Sequence, residues 1–246
     1  VPSLCEMKEP EKIGIYSNSM NKLDVLHFNS DSLLYVKTLH FPLWNKQRGI
    51  PKAYTRLIQY NDSLFIGTSF MPKEISVELM NLKTEKVVNS VNFPLKPKEG
   101  EYSRPYECKI ATEMNFIVAA YRYINRLEIY KLSDQKFQLN TIIGDANNQY
   151  DLYRLNKDNE MILHYSDIVC GKNQIYALYR GVKEKELSSA NSKIEVYSYD
   201  GTHLRTFDLG RSIEKILVDE SSMRIYAFDR NEEKDIVFCY AIESNT

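Results

Sequence analysis

The chain has 246 residues, 43% hydrophobic and 26% charged, with a formal net charge of −1. That composition belongs to globular domains and excludes a disordered chain. The near-neutral balance, without clustered Lys and Arg, excludes a nucleic-acid binder held by phosphate contacts.

Tyr is over-used, 18 residues against one Trp and 10 Phe, and it favours pleated sheets whose edges meet water. No apolar run approaches the ~20 residues a transmembrane helix needs. The chain opens at Val1 where a Met would stand, which reads as a preceding segment removed or left out.

Taken in chain order, the elements repeat. Five apolar segments align: "KIGIYSN" (12–18), "LFIGTSF" (64–70), "FIVAAYR" (116–122), "QIYALYR" (174–180) and "RIYAFDR" (224–230). Their anchors Ile13, Phe65, Ile117, Ile175 and Ile225 stand 52, 52, 58 and 50 residues apart.

A further strand follows each anchor, at Leu23, Ile75, Leu127, Ile194 and Ile236, with offsets of 10, 10, 10, 19 and 11. The outlier holds the polar insertion "KEKELSSAN". Seven residues before four anchors stand Ile58, Ile110, Ile168 and Val218, marking an inner strand. In the first repeat that place falls on Glu6.

Outer strands "LLYVKTLHF", "KVVNSVNFP", "KFQLNTIIG" and "HLRTFDLG" complete four units, and the fifth shows none. The N-terminal "PSLCEMK" can supply one missing strand but not two. "DANNQYDLYRLNKDNEMIL" (145–163) reads as irregular, and helical periodicity is hardly visible.

Four-stranded antiparallel units at this period specify an all-β chain, a β-propeller of one domain. Its repeats run about 1–53, 54–105, 106–163, 164–212 and 213–246, and the count leaves five or six blades open. In "QIYALYR" both faces are apolar, as stacking between neighbouring blades requires. Ala177 between Ile175 and Tyr179 suits the narrowing wedge.

The segment "KIEVYSYDGTHLRTFDLGRSIEKILVDESSMRIYAFDRN" (193–231) carries a D-G turn, then a V-D-E inner strand, then an I-Y strand. With "FIVAAYRYINRLEIYKL" and "HYSDIVCGKNQIYALYRG", it resembles NHL-type and TolB-like six-bladed propellers, the latter from Bacteroides-type bacteria. The likeness covers most of 54–242. It implies six blades and an exported protein of the periplasm or cell surface, a lipoprotein anchored through the removed N-terminus. It supplies no catalytic residues.

Propellers bind where the inner strands begin. The entering segments offer Tyr54 and Arg56, Arg104 with Tyr102 or Tyr106, Tyr165 and Asp167 beside His164, and Arg211. Facing one opening, they would form a ring of guanidinium and phenol groups suited to an anion, a sugar or a peptide. The plainer reading has them bonding between blades.

No cofactor or metal is expected. The four His lack ligand spacing, with His27 and His203 expected at the surface. Glu107, Asp167 and Glu214 are acids that could gather on an axial calcium, though no motif demands it. Cys5, Cys108, Cys170 and Cys239 show no C-x-x-C spacing. The last three sit in apolar runs as buried thiols, and a disulfide cannot be assigned. "NDS" (61–63) reads as a hairpin turn.

The expectation is a non-enzymatic binding or scaffold propeller of the bacterial envelope, with a protein, peptide or glycan partner. The alternatives are a metal-dependent hydrolase or lactonase and a purely structural role in an envelope complex.

Overall fold

The computed structural model describes residues 2–17, 19–41, 44–45, 50–51, 54–71, 74–93, 108–113, 115–145, 161–229 and 236–242. The strands are β1 (Pro2–Glu6), β2 (Lys12–Ser17), β3 (Lys22–Asn29) and β4 (Ser32–His40) in blade 1. A two-residue ladder follows, β5 (Trp44–Asn45) with β6 (Ile50–Pro51). Blade 2 has β7 (Tyr54–Gln59), β8 (Leu64–Met71), β9 (Glu74–Asn81) and β10 (Lys86–Phe93).

Blade 3 has β11 (Cys108–Glu113), β12 (Phe116–Tyr121), β13 (Arg126–Ser133) and β14 (Lys136–Gly144). Blade 4 has β15 (Ile162–Cys170), β16 (Gln174–Lys183), β17 (Lys193–Ser198) and β18 (His203–Asp208). Blade 5 has β19 (Lys215–Asp219), β20 (Arg224–Asp229) and β21 (Ile236–Ala241). Each blade is an antiparallel meander, the repeating sheet of a β-propeller. No helix among the described residues is long and apolar enough to cross a membrane.

The chain divides into two compact units, residues 1–93 with Ser133–Phe137, and Pro94–Leu132 with Gln138–Thr246. In the first, β1 pairs with β2 and so supplies blade 1 with its inner strand. It also pairs parallel to β7, Cys5 opposite Leu57 and Glu6 opposite Ile58, which joins blades 1 and 2 into one eight-stranded sheet. Tyr16, Phe41, Tyr54 and Phe65 interlock there around Leu23, Val25 and Leu57. The turn at 61–63 is closed by Asn61, whose Oδ1 accepts the Ser63 and Leu64 amides.

In the second unit, β11 lies beside β15, and β15 beside β19. Blade 4 is covered on both sides. Ile175 and Ala177 of β16 pack with Val118, Ala120, Leu127 and Ile129 of blade 3. Tyr176 and Leu178, on the opposite face, pack with Ile216, Ile225 and Ala227 of blade 5. Neighbouring sheets thus do the work that helices do elsewhere.

Polar contacts fasten the stack. Phe116 lies flat on Tyr199 at 4.0 Å, the Tyr199 hydroxyl donates to Gly171 O, and Glu220 of blade 5 accepts the Lys172 amide at 2.7 Å.

Two sequence readings need correction. Of the residues seven before the anchors, Ile110 and Ile168 are structural equivalents but Ile58 and Val218 are not, because the β-hairpins differ in turn length. Ile110, Ile168, Ile216 and Leu57 are the matching set, opposite Ala119, Ala177, Ala227 and Gly67. The cysteines differ too: Cys5 and Cys108 are buried, Cys170 is partly so, and Cys239 is exposed. Phe238 and Tyr240 of β21 face the blade 4 contact, so the alternation of the strand turns Cys239 outward. His203 is exposed as expected, whereas His27 is half-buried.

Candidate functional site

A cavity of about 510 Å³ opens in the second unit where the inner strands of blades 3, 4 and 5 begin. Lys109 of β11, Ser166 and Asp167 of β15, and Lys215 of β19 line it from the inner strands. The opposite wall is the 184–188 segment that interrupts the repeat, a single 3₁₀ turn at Glu184–Glu186 followed by Leu187 and Ser188. The one unit that departs from the common spacing departs to build this wall.

The wall is held by Arg180. Its guanidinium donates to Ser192 Oγ at 2.8 Å and Ile213 O at 2.6 Å. It also reaches Leu187 O, Ala190 O at 3.3 Å and Ser212 Oγ at 2.9 Å. A planar fork with this many donors can bridge two loops as no ammonium can. The near end of the insertion is tied to blade 3, where Tyr123 donates to Glu184 Oε1 at 2.6 Å and Arg122 stands 3.7 Å from the same oxygen.

The β15 strand carries irregularities in its register, one of them between Tyr165 and Asp167. In a regular strand residues i and i+2 share a face. The bulge breaks that rule, re-aiming side chains as bulges beside sites commonly do. Tyr165 turns into the blade, with the same packing cluster as Ile168, while Asp167 turns into the cavity with Ser166. Asp167 Oδ2 accepts the Ile216 amide at 3.0 Å. Burial raises its pKa above the usual carboxylate range, against the pull of that bond and of Lys109 and Lys215.

Of the predicted ring residues described in the second unit, Asp167 lines the cavity and Tyr165 and Arg211 do not. Tyr165 is wholly buried, and its hydroxyl donates to Glu195 Oε2 at 3.2 Å. Tyr54 stands at the matching position of blade 2, also buried and also before a register shift, and donates to Glu78 Oε2 at 2.8 Å. Burial and the adjacent carboxylate push both phenols far up. These two tyrosines satisfy internal carboxylates and present no ring face to an opening.

Arg211 is exposed in the segment before β19, with its guanidinium 3.6 Å over the Phe238 ring, apart from the cavity lining. Arg104, Tyr106, Tyr102 and Glu107 lie outside the described residues. The backbone of Arg56 pairs opposite Thr68, in the register that Lys109, Asp167 and Lys215 hold in their own blades, and its side chain lies outside the described residues. Among the described residues no three His, Cys, Asp or Glu side chains gather as a metal site. Asp167 and Glu214 both line the cavity.

Sequence reasoning missed Lys109, Lys215 and Arg180. The first two each precede the Ile of an inner strand, half-buried Ile110 and buried Ile216, a signal masked by hairpins of unequal length. It also missed a repeated carboxylate on the third strands. Glu78, Glu128 and Glu195 stand opposite Gly67, Ala119 and Ala177. Each accepts a tyrosine hydroxyl, from Tyr54, Tyr130 and Tyr197 respectively, and Glu128 also pairs with buried Arg126 at 2.7 Å. The small residue makes room: a Cβ on Gly67 would meet the Tyr54 ring and Met80 at 2.6 Å. "LEIY" and "IEVY" in aligned strands were the available sign.

Residues 5–221 match the TolB-like 6-blade propeller-like family. Among curated proteins none matches the sequence significantly. A candidate 6-phosphogluconolactonase from Bacteroides uniformis is similar in structure with a TM-score of 0.53 at 14% identity, over 98% of this chain and 67% of that one.

The WD40 domain of coronin from Toxoplasma gondii is similar at 0.50 and 8%, over 95% of this chain and 53% of that one. Raptor from Chaetomium thermophilum is similar at 0.54 and 7%, over 99% and 19%. The chain thus spans about half the coronin chain and less of Raptor. At such identities the likeness shows the propeller fold alone.

Proposed function

The chain belongs to the TolB-like 6-blade propeller-like family, and on that premise we propose a non-enzymatic binding or scaffold propeller of the bacterial cell envelope. Its ligand site is the cavity at the start of the inner strands of blades 3 to 5. The observation that carries the reading is the 184–188 wall. A repeat that interrupts itself, and then spends a buried arginine on fixing the interruption beside a cavity of ligand size, has the features of a binding pocket on a rigid scaffold. The envelope setting rests on the resemblance to exported propellers, and the partner it suggests is a glycan, a peptide or a protein segment presented there.

The test is a binding survey of envelope glycans and short peptides by calorimetry, repeated with Ser188→Trp to obstruct the cavity. Binding lost in that variant, with an unchanged melting temperature, supports the reading. Binding that survives intact places the site elsewhere. A second reading, a metal-dependent hydrolase, is favoured by Asp167 and Glu214 sharing the cavity and by the structural similarity to the candidate lactonase. A calcium-dependent rise in melting temperature, abolished in Asp167→Asn, would select it.

A further inference from the structure

Three neighbouring inner strands bring one residue each to the cavity in matching register. Lys109 pairs opposite Ala120, Asp167 opposite Leu178 and Lys215 opposite Phe228. Each immediately precedes the Ile of its inner strand, Ile110, Ile168 or Ile216, and each lines the opening. The charges of the lining can then be accounted for. Arg180 is committed to the loop carbonyls and hydroxyls, Arg122 and Glu184 face each other, and Lys185 and Glu214 have partners of their own.

Asp167 is held by the Ile216 amide and lies in the field of both lysines. Lys109 and Lys215 are exposed, and among the described residues neither is held in a salt bridge. Across the described lining, Lys109, Arg122, Arg180, Lys185 and Lys215 stand against Asp167, Glu184 and Glu214, an excess of positive charge beside the hydroxyls of Ser166 and Ser188. This excess is local, since the whole chain carries −1.

We infer that the cavity binds a small oxyanion-bearing molecule, of about monosaccharide size, with Lys109 and Lys215 as its charge partners. The inference rests on the binding reading above and names the ligand class of that site. The strands fix where the two lysine stems begin, and their ammonium groups make charge-assisted bonds to a carboxylate or phosphate at the cost of side-chain ordering. The hydroxyls suit a polyol carrying it. The opposing Asp167 sets a preference for an anion whose charge is spread over one end, leaving a neutral end for the serines.

The experiment is calorimetric titration of the whole chain at low ionic strength with inorganic phosphate, D-glucuronate and D-glucose. Either anion binds and glucose does not, and the anion that binds tells phosphate chemistry from carboxylate chemistry. Affinity falls by about tenfold in Lys109→Gln and again in Lys215→Gln, falls with added salt, and rises in Asp167→Asn. Ser188→Trp abolishes binding, which locates it.

Glucose and glucuronate binding alike, both lost in Ser188→Trp and both indifferent to the lysine variants, would overturn the charge inference and leave the cavity reading standing. No binding of any of the three probes would overturn the charge inference. Anion binding that persists in Ser188→Trp would overturn both.

Discussion

Replacing Arg180 with Met keeps most of the aliphatic stem and removes every donor, so it isolates the job assigned to the guanidinium. The residue is 6% exposed and makes contacts with Ser192, Ile213, Leu187, Ala190 and Ser212. Two of the three carbonyls keep a second partner, because Ser192 donates to Ile213 O at 3.2 Å and Ser212 to Leu187 O at 2.8 Å. Hydrogen bonds to a charged donor contribute about 1.5–3 kcal/mol each before compensation.

Removing a buried cation also relieves its own desolvation cost. The net loss is then about 2–4 kcal/mol, not the sum of five bonds. For a chain of this size that lowers the melting temperature by roughly 5–15 °C. Urea unfolding supplies the free energy, and amide exchange supplies the location: protection falls at 186–192 while β16 stays protected. Arg180→Lys recovers only part of the loss, since one ammonium cannot span both loops. A cost below about 1 kcal/mol, or an unchanged exchange pattern in the insertion, would refute the idea that this arginine fastens the cavity wall.

Two further outcomes follow from packing and charge. Ile175→Ala and Leu178→Ala, on opposite faces of β16 and both at 0% exposure, each cost about 2–5 kcal/mol in urea unfolding. Leu217→Ala, at 52% exposure, costs under about 1 kcal/mol. A cheap substitution on either face of β16 would mean that face is not packed against a blade. The raised pKa of Asp167 makes the folded state hold its proton more tightly than the unfolded chain does. Its contribution is therefore fully present below the unfolded value near ~3.9 and is lost as pH rises through the folded value. Asp167→Asn removes that slope from a plot of unfolding free energy against pH, and a parallel pair of curves would contradict the burial argument.

The repeat was legible because blade faces demand apolar residues on both sides of a strand, and "QIYALYR" with its relatives shows this directly. The inner strand of blade 1 was not. Pro2–Glu6 has little alternation of its own, and its place is fixed by pairing on both sides, to β2 and to β7. The site was legible in its region but not in its members. Tyr165 and Asp167 looked like neighbours on one face, and a bulge, which leaves no mark in composition, sent them to opposite sides. Lys109 and Lys215 were hidden by hairpins of unequal length. Arg180 lies inside the repeat motif itself and reads there as an ordinary strand end.

Repetition and chemistry pull against each other in such a chain. Positions that pack against a neighbouring blade are mostly held to small or apolar residues, as at Gly67, Ala119, Ala177 and Ala227, and the carboxylates among them are tied up by tyrosine hydroxyls, which removes both from service as ligand contacts. What remains is the residue just before each inner-strand Ile, and whatever a lengthened connection can bring over it. In blade 4 both kinds of freedom are used at one place: a strand irregularity aims Asp167 outward, and an insertion, held by Arg180, closes over it. The departure from the pattern is therefore more informative about function than the pattern, and the nine extra residues between Ile175 and Ile194, relative to the ten of the other early units, are where a ligand should first be sought.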